Sequence, residues 1–360
     1  MRFLVATGSS GGHIFPATAL IDYLKSPDIQ MLLVLPLKAR ENKIPLNCDN
    51  VEYIHSSNLT PQLNKRNIIN LGFFFLAAWE SFRIIIKFKP DVVIGFGSQN
   101  TLALIFWAWL FRINTIIHEQ NVIPGRANRL LSGIADKIAL SFSQTNSYLK
   151  GAAGKIKIVG NPIRPELKRI DKKDALDFFD FKEGKINILV TGGSQGSFKL
   201  NDIVFRAFDN FKKKDDLQII HICGSRDFIE LKARYVSSGL RYRIFDFLTS
   251  MQYAYSAADF VICRAGATTI AELQKFSCPA ILVPYPFAYL HQLANARVLE
   301  EISAAIVIKD EDLTVEKINA QLLEFSENPS KLKSMQKAYF GQGRPDAAAL
   351  LAKEVLDFCS

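Results

Sequence analysis

The chain has 360 residues, 49% of them hydrophobic and 22% charged, enough for two domains and too apolar to stay disordered. Its five cysteines, widely spaced and with no CxxC pair, indicate neither a disulfide framework nor a zinc cluster but reduced thiols. The net charge of +9 sits wholly in one half: residues 1–165 carry 18 Lys+Arg against 9 Asp+Glu, and residues 166–360 carry 26 against 26. Such asymmetry predicts an anionic partner for the first half alone. The N-terminal residues meet Gly and Ser too early for the apolar core of a signal peptide. The apolar run 102–111 is about half the length a bilayer crossing needs, so a soluble or peripheral protein is expected.

In chain order, short β-branched runs at 2–7, 31–35, 91–96, 115–118 and 137–140 predict buried strands. Helical patterns lie between them, at 15–25 and 127–133. The alternation implies βαβ units, a parallel sheet and helices on both of its faces. It repeats from 186 onward, with strands expected at 186–191, 217–223, 242–247, 260–263 and 280–284. Helices are expected at 199–211, 267–276, 290–302, 315–324 and 347–358. Between the halves, Gly160-Asn161-Pro162-Ile163-Arg164-Pro165 reads as a hinge. The fold class predicted is α/β, two Rossmann-like domains facing across a cleft, with ligands beyond the carboxyl ends of the strands.

Several segments carry candidate chemistry. Gly8-Ser9-Ser10-Gly11-Gly12-His13 follows the first strand and opens a helix, a place where exposed N–H groups suit a phosphate. His13 falls near that helix start, where the helix dipole disfavours imidazolium and leaves a neutral ring able to take a proton. A second turn, Gly192-Gly193-Ser194-Gln195-Gly196, again follows a strand. His118-Glu119-Gln120-Asn121 places polar residues where a buried strand ends; Glu119 and Asn121 either line the site or cap the next helix. The segment from Arg264 to Glu272 has small residues at a helix start, suited to a diphosphate, and a carboxylate one turn in that suits ribose hydroxyls. Gln292 and Asn295 share a helix face, and their amides suit sugar hydroxyls. Residues 71–89 and 102–111 are apolar and aromatic, with Lys65 and Arg66 just before them and Arg83, Lys87 and Lys89 interspersed. They read as core helices or as an interfacial patch that meets anionic lipid; the charge asymmetry favours the patch, and nucleic acid is not expected.

These segments, in this order over nearly the whole chain, resemble the MurG family of N-acetylglucosaminyltransferases. The matching stretches are GSSGGHIFPATAL at 8–20, HEQNVIPGRANRLL at 118–131, GNPIRPEL at 160–167, GGSQGSFKLN at 192–201, CRAGATTIAEL at 263–273 and HQLANA at 291–296. The resemblance implies a GT-B fold. An acceptor- and membrane-associating domain would span 1–160, a UDP-sugar-binding domain 161–345, and a C-terminal helix at 346–360 would pack back on the first domain. It implies metal-independent, inverting transfer from UDP-N-acetylglucosamine to the C4 hydroxyl of undecaprenyl-linked lipid I, with no cofactor. His13 matches the family's candidate base, and Ser9, Ser10, Gly11 and Gly12 would hold the acceptor diphosphate. Ser10, Gly11, Gly12, Asn121, Arg164, Ser194, Leu248, Ala267, Thr268, Thr269, Glu272, Gln292 and Asn295 would meet the donor. Within that set Glu272 takes the ribose, and Gln292 with Asn295 the sugar. The membrane patch expected is Phe73, Phe74, Phe75, Trp79, Arg83, Lys87, Trp107 and Trp109, at the cytoplasmic face of the bacterial inner membrane. Cell-wall or division proteins are further partners in view. The chain departs from the family's usual GGTGGH with GSSGGH, from its GGYxS-type stretch with Gly97-Ser98-Gln99-Asn100, and from its acidic run before HQxxN with Phe287-Ala288-Tyr289-Leu290.

Overall fold

The computed structural model describes every residue except 42–45, 47, 57–64, 150, 194–195, 287–289, 341–345 and 360. Two compact units emerge: Met1–Pro165 with Pro345–Ser360, and Glu166–Arg344. Residues 161–165, expected with the second domain, therefore belong to the first unit.

The first unit runs β1 (Arg2–Ala6), α1 (Gly11–Leu24), β2 (Gln30–Pro36), β3 (Val51–Ile54), α2 (Lys65–Phe88), β4 (Val92–Gly95), α3 (Gln99–Leu110), β5 (Asn114–Glu119), α4 (Arg126–Leu131), β6 (Lys137–Leu140) and β7 (Ile156–Ile158). Among the described residues its strands form one parallel sheet in the order β3-β2-β1-β4-β5-β6-β7. Strands covered on both faces are apolar without alternation. In β1, Phe3 and Val5 pack to one side with Ile14, Ala17, Leu20, Leu351 and Val355. Leu4 and Ala6 pack to the other with Ile84, Ile85, Leu104, Ala108 and Leu131.

The second unit runs α5 (Lys172–Phe178), β8 (Ile186–Thr191), α6 (Phe198–Asp209), β9 (Leu217–Ile222), α7 (Phe228–Ser238), β10 (Arg241–Phe245), α8 (Met251–Ala257), β11 (Phe260–Cys263), α9 (Ala267–Phe276), β12 (Ala280–Leu282), α10 (His291–Glu301), β13 (Ala305–Val307), α11 (Val315–Glu327) and α12 (Pro329–Lys337). Its described strands, also parallel, take the order β10-β9-β8-β11-β12-β13. The last helix, α13 (Ala347–Leu356), returns to the first unit and packs on α1. Asp346 caps it, accepting from the N–H groups of Ala348 and Ala349, a contact of about 1 kcal/mol.

Each sheet has one place where successive connections run in opposite directions, between β1 and β4 and between β8 and β11. Ligands of open parallel sheets sit beyond the strand ends at such a point. Both Gly-rich turns lie there: residues 8–12 follow β1, and 192–196 follow β8.

The turn after β4 contains an unusual backbone. Ser98 has φ 78 and ψ 158, a region that belongs to glycine. Its side chain also closes off Gly8, where a Cβ would come 2.9 Å from Ser98 Cβ. Ser98→Gly is expected to stabilise the protein by about 1–3 kcal/mol through relief of that strain. A calorimetric Tm at or below that of the parent would contradict it.

Candidate active site

In the first unit the site is built around His13, third residue of α1. Ser10, the N-cap residue, has extended backbone and receives the N–H groups of His13 and Ile14 on its carbonyl, each at 3.0 Å. Its Oγ lies 2.8 Å from His13 Nδ1. When Nδ1–H donates to that oxygen, Nε2 is the acceptor nitrogen. Nε2 lies beside Gly97, where a Cβ would be 3.5 Å from it, and Asn128 Nδ2 would be 3.4 Å from the same Cβ. The surrounding protein strips water from the ring and lowers its pKa to about 4. His13 is thus held neutral, as a proton acceptor must be.

The HEQN segment turns out to be a brace. Glu119 Oε1 accepts from the backbone and side-chain nitrogens of Asn121, at 2.9 and 3.2 Å. Its Oε2 accepts from Gly125 N and Asn128 Nδ2, at 2.9 and 2.8 Å. Of the two readings open in the sequence, organising the start of α4 is the one these bonds display for Glu119. His118 is fully buried, with Nε2 2.9 Å from Gly160 O and Nδ1 3.1 Å from Gln120 Nε2. Arg164 is buried too, its guanidinium 4.6 Å from the centre of the Phe15 ring at the head of α1.

In the second unit the turn after β8 is pressed against its neighbour. Gly196 has φ +72, and a Cβ there would lie 2.0 Å from Cys223 O. That carbonyl accepts from Asn201 Nδ2 at 2.9 Å, and the same Nδ2 donates to Asp227 Oδ2. Ser194 lies outside the described residues, as do 287–289 and the side chains of Lys65 and Arg66. Across the switch point, Ala267 and Thr268 are buried at the start of α9 and Thr269 is half-buried. Glu272, one turn further, is buried and accepts from Tyr255 Oη at 2.7 Å. Leu248 is buried just before α8. Gln292 Oε1 accepts from the N–H groups of Ala265 and Tyr285, and Asn295, fully buried, donates to Ala265 O. Both amides therefore hold the 264–266 turn in place.

Arg264 was not singled out by the sequence, yet it joins three loops. It donates to Ser197 Oγ at 2.7 Å, Val283 O at 3.1 Å and Asp310 Oδ1 at 2.6 Å. Lys199 Nζ meets the other oxygen of Asp310 at 2.9 Å. The available signal was a lone cation directly after a fully apolar strand, where burial demands partners. Asn128 and Asn161 were also passed over. Among the described residues, Asn128 Oδ1 and both amide atoms of Asn161 are buried without a protein partner.

The apolar helices divide differently from expectation. Phe73, Phe75, Trp79 and Trp109 are exposed, as are Leu71, Leu76, Phe106 and Leu110, with Arg83 and Lys87 also at the surface. Phe74 and Trp107 are only half-buried members of the patch. Trp107 turns inward because its Nε1–H donates to Ala78 O at 2.9 Å and its ring meets Phe82. Lys87 stands 3.8 Å from Glu52. No helix among the described residues is long and apolar enough to cross a membrane.

Residues 3–140 match the glycosyltransferase family 28 N-terminal domain, and residues 187–351 the glycosyltransferase family 28 C-terminal domain. The chain is 37% identical to the UDP-N-acetylglucosamine–N-acetylmuramyl-(pentapeptide) pyrophosphoryl-undecaprenol N-acetylglucosamine transferase of Halothermothrix orenii, covering 99% of each. It is 35% identical to the enzyme of that name from Desulforamulus reducens, over 98% of this chain and 97% of the other. The crystal structure of Acinetobacter baumannii MurG superposes with a TM-score of 0.76 at 26% identity, covering 99% of both chains. The chain belongs to the MurG family. Membership makes it a two-domain GT-B glycosyltransferase, and within the MurG frame His13 and the two Gly-rich turns occupy the two switch points. The UDP-N-acetylglucosamine 2-epimerase of Neisseria meningitidis, at 14% identity and a TM-score of 0.69, shares the fold alone.

Two deeply buried imidazoles, one in each unit, tie stability to pH. Burial lowers His118 to about 4 and His221 to about 3. The unfolded chain, with ordinary values near 6.5, takes up these protons first. Their contribution is therefore complete above about pH 6.5 and is lost as pH falls toward 4 and 3. The Tm should hold level from pH 8 to 7 and decline steadily below 6.5; a Tm that rises on acidification would contradict this.

Proposed function

We infer that this chain moves N-acetylglucosamine from UDP-N-acetylglucosamine onto N-acetylmuramyl-(pentapeptide) pyrophosphoryl-undecaprenol, converting lipid I to lipid II, the step for which its relatives are named. Full-length identity to those relatives carries the reading. Within the first unit, His13 Nε2 takes the proton of the acceptor C4 hydroxyl as its oxygen attacks the anomeric carbon from the face opposite UDP, inverting that centre. The helix N-terminus at residues 9–12 binds the acceptor diphosphate through backbone N–H groups. Negative charge there favours the imidazolium once the proton has arrived. Within the second unit, the turn after β8 and the start of α9 meet the departing UDP diphosphate with N–H groups. Glu272 holds the ribose, and Leu248 meets the uracil mainly through its backbone. Arg164 and Asn121 complete the donor contacts.

The exposed aromatic face of α2 and α3, with Arg83 and Lys87, rests on anionic lipid at the cytoplasmic side of the inner membrane. Aromatic and aliphatic side chains enter the headgroup boundary while cations meet lipid charge.

Two measurements test the whole. Label from UDP-N-acetylglucosamine should appear on lipid I and not on diacylglycerol; label on diacylglycerol would overturn the acceptor assignment. Phe75→Glu with Trp79→Glu should weaken binding to phosphatidylglycerol vesicles at least tenfold, since each loses on the order of 2 kcal/mol of apolar burial. Turnover of a water-soluble acceptor should stay normal, and unchanged vesicle binding would refute the membrane assignment.

A further inference from the structure

Tyr255 is among the largest fully buried side chains of the protein, and its ring stacks on Phe276 at 5.1 Å. A hydroxyl in such a place needs a partner. It finds one in a carboxylate: Tyr255 Oη donates to Glu272 Oε2 at 2.7 Å, and Glu272 is itself buried. The two residues come from different helices, α8 and α9, which pack together. Tyr255 lies one turn inside α8, and α8 begins immediately after the 248–250 segment. Cys278 Sγ donates to Tyr255 O, and Tyr339 Oη donates to Cys278 O at 2.8 Å, so the backbone on which Tyr255 stands is itself tied down.

We propose that Tyr255 is a positioning residue that sets the orientation of the Glu272 carboxylate and thereby makes the donor site selective for a ribonucleotide over a deoxyribonucleotide. The proposal rests on Glu272 being the ribose contact. A buried carboxylate with one oxygen fixed by a short hydrogen bond cannot rotate about its last bond. Its hydrogen-bonding directions toward a sugar hydroxyl are then set before the nucleotide arrives.

The test compares binding of UDP, 2′-deoxy-UDP and 3′-deoxy-UDP by calorimetry to the parent, Tyr255→Phe and Glu272→Gln. The parent should prefer UDP by about tenfold or more over at least one deoxy form, the scale of a hydrogen bond to a charged group. Tyr255→Phe should lose most of that preference, with affinity for the deoxy form nearly unchanged. In turnover its donor KM should rise while kcat holds. A purely structural role would weaken all three nucleotides alike and leave the ratio intact, which would overturn the proposal. Replacement of Tyr255 by 4-aminophenylalanine keeps a donor at the same place and should restore the preference. Should the Phe variant fail to fold, loss of preference in the folded amino variant would overturn the proposal instead. The underlying reading fails separately: if Glu272→Gln keeps the parent's preference, Glu272 is not the ribose contact. If Glu272→Gln loses it and Tyr255→Phe does not, only the positioning role falls.

Discussion

His13→Ala is expected to lower kcat by roughly 10²–10⁴-fold while donor affinity stays near that of the parent. The ring sits in the first turn of α1, with Nδ1 beside Ser10 Oγ and Nε2 beside Gly97. The same feature fixes a pH profile. With a pKa of about 4 in the free protein, the base is neutral throughout the physiological range. The acid limb of kcat/KM should therefore have its midpoint near 4, recorded where the protein remains folded, and not near the ordinary 6.5. An acid limb at 6.5 that vanished in another histidine variant would remove His13 from the mechanism. So would an alanine variant with near-normal turnover.

The second large effect is expected at Gly196. A methyl group there would meet Cys223 O at 2.0 Å, and that carbonyl is held by Asn201. Neither backbone can retreat cheaply, so Gly196→Ala should reshape the turn after β8 and abolish measurable UDP binding. A cost of about 2–4 kcal/mol is in keeping with core overpacking and backbone strain, which lowers the Tm by roughly 5–15 °C in a domain of this size. Gly193 provides the control. It too has positive φ, +88, but a Cβ there meets nothing within 4 Å. Gly193→Ala should show only the smaller cost of left-handed backbone. Equal effects at the two positions would mean that steric contact with Cys223 is not what the turn depends on.

Much of this architecture was legible in the sequence because the strands are buried on both faces. Runs such as Phe3-Leu4-Val5-Ala6 and Phe260-Val261-Ile262-Cys263 announce themselves without alternation. The strands that escaped notice, β3, β7 and β13, are three or four residues long and lie at sheet edges, where a half-exposed segment needs little apolar character. The charged stretch after Pro165, for which no helix was expected, contains α5, started by Asp171 accepting from Lys173 N. At the site, the Gly-rich turns and His13 could be found because each follows a strand directly. Arg264 also follows a strand directly, but its role, like that of Tyr255, could not be read from that position. Their parts are defined by partners 46 and 17 residues distant in the chain, respectively, and no local spacing encodes such pairings. Trp107, expected in the surface patch, is half-buried there, its Nε1–H donating to Ala78 O.

The return of α13 to the first unit bears on how the polypeptide is made. Phe3 and Val5 leave the ribosome before the whole trailing unit, yet the core they belong to is finished by Leu351, Ala352 and Val355. That side of the leading sheet is covered early by α1 but stays incomplete while the whole trailing unit is synthesised, an interval on the order of ten seconds or more at ordinary elongation speeds. Nascent chains of this protein should therefore be clients of holding chaperones until α13 has been made. The trailing unit, whose core comes from one continuous stretch, is free to fold on schedule.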